Sequence, residues 1–153
     1  MDCQELIPWY RQVVNLLQQE SAAIETMLLL SQQLQESLIR FDAAAIEQIA
    51  RRQEQQLEHL FSLERQRWNL VSEGLAISQD QARALTMTEL LKYLPPDCSE
   101  SVHAIGERLR GCLADLHLAN SINRMLALRG RNSIQATLSF VRERNLHAVD
   151  TSL

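Results

Sequence analysis

The stretch "LLQQESAAIETMLLLSQQLQESLIRFDAAAIEQIARRQEQQLEHLFSLERQRWNLV", residues 16–71, contains neither glycine nor proline. It is filled with Gln, Glu, Leu, Ala and Arg, which are strong helix formers. Glycine and proline are the residues that most often interrupt helices, and both are absent from Trp9 to Glu73. This part of the chain therefore predicts long helices.

Apolar residues recur along the first of these helices at alternating spacings of three and four, the repeat of a coiled-coil seam. The positions, seven of them apolar, are Ile7, Tyr10, Val14, Leu17, Ser21, Ile24, Leu28, Ser31, Gln35 and Leu38. The second helix has an apolar face of its own, with Ile46, Ile49, Leu57, Leu60 and Leu63. Two such faces predict a helical hairpin with a shared core.

The hairpin turns at "RFDAAAIEQ", residues 40–48. Asp42 is a suitable N-cap, and Ile46 stands where it can pack back onto Phe41 as a hydrophobic staple. We therefore predict helix 1 over 3–40 and helix 2 over 43–73. Gly74 follows directly and suits the left-handed conformation that ends many helices.

Shorter signals connect the hairpin to the rest of the chain. "SQDQ" and "TMTE" both read as capping boxes, at Ser78 and Thr86, and a proline pair closes the segment. One or two short helices are predicted over 79–94, bridging one end of the long helices.

A third long helix is predicted over 98–145. "DCSE" opens it with Asp97 as N-cap, and apolar residues then follow in heptad order. Gly130 interrupts this pattern and allows either close packing or a bend. The fold class is therefore all-α: a single helical domain, 1–153, forming an elongated antiparallel bundle of long coiled-coil-like helices, with a helical hairpin, a third long helix and short connecting helices.

Composition bounds the function. The 153 residues suffice for one domain, and the net charge of -4 gives no general reason to expect nucleic acid or an anionic membrane as partner. There is no run of about 18 apolar residues, and the start "MDCQELIPWYRQ" lacks the pattern of a signal peptide. Three cysteines without CxxC spacing suggest neither a disulfide framework nor a thiolate metal site. A cytoplasmic protein without membrane insertion is expected.

Signals of catalysis are weak. Glu100 and His103 have the Glu-x-x-His spacing of di-iron bundles, but the chain has no second pair to complete such a site. There is no HExxH, phosphate loop, GxSxG or nucleophilic triad. No cofactor, no metal and no enzymatic activity are expected.

The last predicted helix has an uneven charge. Residues 116–153 hold five arginines against two acids, whereas residues 1–115 carry an excess of acids. Within "NSINRMLALRGRNSIQATLSFVRERN", residues 120–145, Ile134, Leu138 and Val141 fall at i, i+4 and i+7. This apolar stripe either packs on the hairpin or binds the amphipathic helix of a partner rich in Asp and Glu.

Other interpretations stay open. A nucleic-acid binder would use the arginines, but they are not interleaved with aromatic residues and the remainder of the chain is acidic. A structural coiled-coil protein would bury the stripe in its own bundle or in a homo-oligomer. Asn120 and Asn123, near heptad positions, would then fix the register between helices.

The order of these elements resembles the FlgN family of flagellar export chaperones. The resemblance covers roughly residues 6–145 and is carried by "FDAAAIEQIARRQEQQL", by "LERQRWNLV" at the end of the second helix and by "LHLANSINRMLALRG" with its asparagine pair. The family's Leu-Asn-x-x-Asn-Gly run matches Asn120 and Asn123, with Ala119 in place of the leucine and Arg124 in place of the glycine.

The resemblance implies a cytoplasmic chaperone that binds the C-terminal amphipathic helices of hook-filament junction (hook-associated) proteins. Such a chaperone prevents premature assembly and delivers its clients to the gate of the type III export apparatus. Clients would be bound mainly by the C-terminal part of the chain. The predicted partner-binding residues are Asn120, Ile122, Asn123, Met125, Leu126, Ile134, Leu138 and Val141.

Overall fold

The computed structural model describes the backbone of residues 3–150 and the side chains of residues 9–143. Its helices are α1 (Cys3–Arg40), α2 (Ala43–Leu75), α3 (Gln79–Ala84), α4 (Met87–Leu91) and α5 (Pro96–Asp150), and the described backbone contains no strand. α1 packs against both α2 and α5, while α3 packs on α2 and α4 on α5. The predicted all-α fold is confirmed. Ile7, the first position of the predicted stripe, has its side chain outside the described residues.

Hydrogen bonds between α1 and α2 show that the two helices are antiparallel. Near the start of α1, Trp9 Nε1 donates to the Leu70 carbonyl at 2.6 Å. Further along, Gln53 Nε2 donates to Ser31 Oγ at 3.1 Å. Residue numbers thus rise along α1 as they fall along α2, and α1 occupies the middle of the three long helices.

A core of apolar side chains lies at the end of the hairpin away from its turn, where the short helices cover it. Its buried members are Trp9, Val13, Leu17, Val71, Ala82, Leu90, Leu94 and Val102. The predicted capping boxes at Ser78 and Thr86 are both present and start α3 and α4. Helices this short are unstable alone, and the capping boxes stabilise them. The caps thereby help to position Ala82 of α3 and Leu90 of α4 over the core.

The turn between α1 and α2 places a bulky residue in the left-handed conformation. Phe41 has φ 56°, and the amide of Asp42 donates to the Ser37 carbonyl at 3.0 Å. The predicted N-cap is confirmed, since the Asp42 carboxylate accepts from the amide of Ala45 at 3.0 Å. Glycine is the usual residue at the position of Phe41, because other side chains crowd the backbone there.

At the other end of α2 the prediction for Gly74 was wrong. The helix continues to Leu75, and the left-handed residue is Ala76, with φ 52°. Gly74 lies inside the helix, where a Cβ atom would overlap the indole of Trp9. Its missing side chain therefore serves the close approach of α1 to α2.

The start of α5 also differs from the prediction. The helix begins at Pro96, and the amide of Ser99 donates to the Pro95 carbonyl at 3.2 Å. Asp97 is consequently in the first turn and is not the N-cap, because proline suits the first helical position, where no amide is needed. At the other end the helix extends beyond the predicted residue 145 to Asp150 and passes through Gly130 without interruption.

Candidate functional site

α5 is the longest of the described helices, and it extends past the end of the hairpin on which it packs. α1 ends at Arg40, and the ring of the next residue, Phe41, lies against Gly130: a Cβ atom on that glycine would be 3.3 Å from Phe41 Cε1. α5 then continues to Asp150. Every side chain described between Arg131 and Glu143 is exposed. This region of α5 therefore presents exposed side chains beyond the end of α1.

On the N-terminal side of Gly130, a layer of polar side chains joins the three long helices. Ser31 Oγ donates to Asn120 Oδ1 at 2.9 Å, and Asn123 Nδ2 donates to the Ser31 carbonyl at 2.8 Å. With Gln53 donating to Ser31 Oγ, the layer includes α1, α2 and α5. Asn123 is buried, so a shift of α5 along α1 would leave buried polar atoms without partners. Both asparagines predicted to bind a partner thus contact the chain's own α1.

The exposed apolar stripe on α5 continues the face that packs on α1. At 3.6 residues per turn, Ile134, Leu138 and Val141 lie within about 60° of one another around the helix, and Asn123 and Gly130 lie on the same side. We call Ile134, Leu138 and Val141 the open seam. Leu138, for instance, is 57% exposed. The seam is open because α1 ends beside Gly130, so the face loses its neighbour there.

The other predicted apolar residues are arranged differently. Met125 is exposed, but it lies about 180° around the helix from Ile134. Ile122 and Leu126 are half-buried. Of the eight predicted residues, the structure therefore groups only those of the open seam on one exposed face.

Residues of the hairpin turn adjoin the open seam. A groove of about 340 Å³ lies between the turn and α5, with Leu38, Phe41 and Ile46 on one side and Leu126, Gly130 and Ile134 on the other. We call it the turn groove. The sequence predicts Phe41 and Ile46 only as a staple that fixes the turn, and no pattern in it places Leu38, Phe41 and Ile46 beside the stripe. The available signal was Phe41 itself, a large apolar residue at the position where glycine usually ends a helix.

The charges beside the open seam are positive. Arg131 and Arg142 lie on one flank of it, about 60° to 80° around the helix from Ile134. Between Arg124 and Glu143 the sequence holds four arginines and a single acid. None of these arginines forms an ion pair with a side chain among residues 9–143. The surface is thus suited to an apolar partner with acidic flanks.

The titratable groups buried elsewhere are structural. Arg67 Nε donates to Glu20 Oε1 at 2.7 Å between α2 and α1, and both side chains are largely buried. Burial raises the pKa of the Glu20 carboxyl, and the Arg67 guanidinium opposes that rise. Burial also raises the pKa of the Cys112 thiol, as suits a small core residue.

The described residues offer no metal site and no membrane span. Among the side chains described, there is no group of three or more His, Cys, Asp and Glu residues placed to hold a metal ion. No helix in the described part of the chain combines the length and the hydropathy that crossing a membrane requires.

The chain matches the model of one known protein family. The family model described as "FlgN protein" matches residues 1–149, nearly the entire chain. The chain matches none of the curated proteins and none of the solved structures with which it was compared. Because the family match covers far more than half of the chain, the resemblance inferred from the sequence is confirmed. The chain belongs to the FlgN family, a family of flagellar export chaperones and not of enzymes.

Proposed function

We propose that this protein is a cytoplasmic chaperone for hook-filament junction (hook-associated) proteins. It binds their C-terminal amphipathic helices, keeps them from assembling prematurely and delivers them to the gate of the type III export apparatus. Binding is stoichiometric and requires no nucleotide or cofactor. Membership of the FlgN family supports this proposal at the level of flagellar export.

The observation that carries the proposal is the open seam. An amphipathic helix can be masked by another apolar stripe of the same period, because side chains at i, i+4 and i+7 lie along one face of each helix. Ile134, Leu138 and Val141 offer such a stripe, and the chain's own hairpin leaves it uncovered. The predicted site therefore has its most accessible part between Gly130 and Val141.

The alternative to a chaperone is a structural homo-oligomer, and the experiment must distinguish the two. Two copies joined through their open seams would bring the arginines of both chains together, because each chain has four arginines and a single acid between Arg124 and Glu143. Like charges of this kind disfavour self-association at low salt. A client with acidic flanks meets no such repulsion.

Calorimetric titration tests the proposal. The protein is titrated with a peptide that contains the C-terminal helix of a junction protein from the same cell. We expect saturable binding near one to one, and a Kd about 10- to 100-fold higher for Leu138→Asp, because burial of one leucine is worth about 1.5–3 kcal/mol. Leu118→Asp is the matched control, since Leu118 is 61% exposed on α5 but lies about 160° around the helix from Ile134.

The outcomes separate the candidates. If the wild type does not bind the peptide at tens of micromolar and sediments as a dimer that Leu138→Asp dissociates, the seam joins two copies and the chaperone proposal fails. Equal weakening by Leu118→Asp and Leu138→Asp would place the client elsewhere on α5. Steep loss of binding with added salt would indicate that the arginines, and not apolar burial, supply most of the affinity.

A further inference from the structure

Phe41 combines two features that do not stabilise the folded chain. Its φ of 56° is a conformation that crowds a bulky L-residue, and its side chain is 66% exposed. Glycine would adopt the same backbone at lower cost, and a polar residue would suit the exposure better. A strained backbone that holds an apolar side chain in solvent points toward a role in binding.

The position of Phe41 connects it to the proposed client site. Its ring lies over Gly130, where a Cβ atom would stand 3.3 Å from Cε1, so the missing side chain of Gly130 lets the ring come close to α5. On the hairpin side, Leu38 and Ile46 complete the wall of the turn groove. Ile134 belongs both to this groove and to the open seam. The two apolar surfaces are therefore continuous.

The long axis of this combined surface follows from the helices. The open seam is the part of the α1-packing face of α5 that lies beyond the end of α1. A helix seated on it would occupy the path that α1 would follow if it continued. The end of such a helix would meet the hairpin turn at Phe41.

We infer that the turn groove receives a large apolar side chain near one end of the client helix, and that Phe41 is a client-binding residue. The client helix lies on the open seam in line with α1, with acidic residues on the flank that faces Arg131 and Arg142. This inference rests on the proposed function and adds the hairpin turn to the client site. Charge complementarity selects an acidic amphipathic helix over a second copy of the chain, whose corresponding surface carries the same arginines.

The test uses Phe41 and Ala76, the two residues of the described backbone with positive φ, as a matched pair. Both end long helices, but Ala76 lies at the opposite end of α2, about 50 Å from the turn. Phe41→Gly and Ala76→Gly each replace a strained residue with one that suits the backbone, so neither is expected to lower the melting temperature. Only Phe41→Gly removes a wall of the turn groove.

We expect Phe41→Gly to raise the Kd for the junction-protein peptide about tenfold, as loss of most of an aromatic contact implies, and Ala76→Gly to leave it unchanged. Phe41→Asn should reproduce the loss, because asparagine tolerates the left-handed conformation without supplying an apolar wall. That variant separates the lost contact from added freedom in the turn.

The possible results distinguish this inference from the proposed function. Absence of peptide binding by the wild type would overturn both. Binding that Leu138→Asp weakens and Phe41→Gly leaves intact would overturn the role of the turn groove alone, and the client would then occupy only the distal part of α5. If Phe41→Gly alters sedimentation of the free protein and not peptide binding, the occupant is a second copy of the chain.

Discussion

Gly74 shows how one missing side chain sets the distance between two helices. The indole of Trp9 lies where a Cβ atom on residue 74 would stand, and its Nε1 donates to the Leu70 carbonyl one turn earlier on α2. Together these contacts anchor the start of α1 to the end of α2. The anchor belongs to the apolar core at the end of the hairpin away from its turn.

Replacement of Gly74 by alanine should therefore destabilise the protein, although alanine favours helices. We expect a loss of about 2–4 kcal/mol, because the indole must leave its site and a partly buried hydrogen bond is broken. Gly111→Ala is the control: no atom lies within 4 Å of the added Cβ, so this variant should gain about 1 kcal/mol from helix propensity. Urea unfolding followed by circular dichroism measures both, and equal effects of the two changes would contradict the role given to Trp9.

The role that the sequence predicts for Gly74 is wrong, although its place near the end of α2 is right. A glycine near the end of a predicted helix usually is the left-handed residue, and the prediction rests on that general rule. The competing reason for a glycine, the approach of a side chain from another helix, depends on a partner 65 positions away in the chain. No local pattern around Gly74 contains Trp9, so only the packed structure could reveal it.

At the scale of the elements, α1 and α2 are joined by an ion pair that is nearly excluded from solvent. Glu20 is only 5% exposed, and Arg67 is the group that compensates its charge. A buried pair of this kind is weak evidence for net stability, yet breaking it is costly, because one charge then remains buried without compensation.

Arg67→Met should accordingly cost about 3 kcal/mol near neutral pH, whereas the double variant Glu20→Leu/Arg67→Met should recover most of that loss. Burial already raises the pKa of Glu20 above its ordinary 4.5, and removal of Arg67 raises it further. An acid with a raised folded-state pKa favours the folded protein when protonated, and this contribution is lost as the pH rises through that pKa.

The deficit of Arg67→Met should therefore shrink as the pH falls from neutral toward 4.5. Urea unfolding at several pH values measures it, with the double variant as the control that lacks the carboxyl. A deficit that stays constant with pH would mean that lost packing of the Arg67 side chain, and not the uncompensated Glu20 charge, causes the destabilisation.

The stripe on α5 marks the limit of what element-scale patterns can predict. The spacing of Ile134, Leu138 and Val141 is the same whether the stripe packs on the hairpin or binds a partner's helix, so the sequence pattern alone is compatible with either. The length of α1 decides whether the hairpin covers the stripe: α1 ends at Arg40, and the next residue, Phe41, lies beside Gly130. By contrast, the predicted break at Asp42 and the capping boxes at Ser78 and Thr86 are confirmed, because caps depend on residues within one turn.

At the scale of the whole molecule, α5 makes the protein elongated. Its 55 residues span about 80 Å, whereas a compact chain of 153 residues would have a radius of gyration of about 15 Å. We expect small-angle X-ray scattering to give a maximum dimension of about 80 Å and a radius of gyration clearly above the compact value. A radius near 15 Å would mean that the distal part of α5 folds back on the hairpin.

In the proposed complex, a client helix along the open seam adds mass without much added length, and scattering of the complex tests this placement. The maximum dimension should stay close to that of the free protein when the bound peptide lies beside α5. A peptide that instead continued α5 end to end would lengthen the particle.

Because α5 extends beyond the end of α1, the two helix ends define the length of an uncovered surface. The stretch of α5 from Gly130 to Val141, which contains the open seam, extends about 16 Å, three helical turns, and Phe41 lies at one end of it. The end of α1 sets where the uncovered face of α5 begins, whatever residues that face carries. Adding turns to α1 would cover part of this stretch without changing any of its residues. In the proposed complex, the offset between the ends of α1 and α5 therefore sets how much of a client helix α5 can contact.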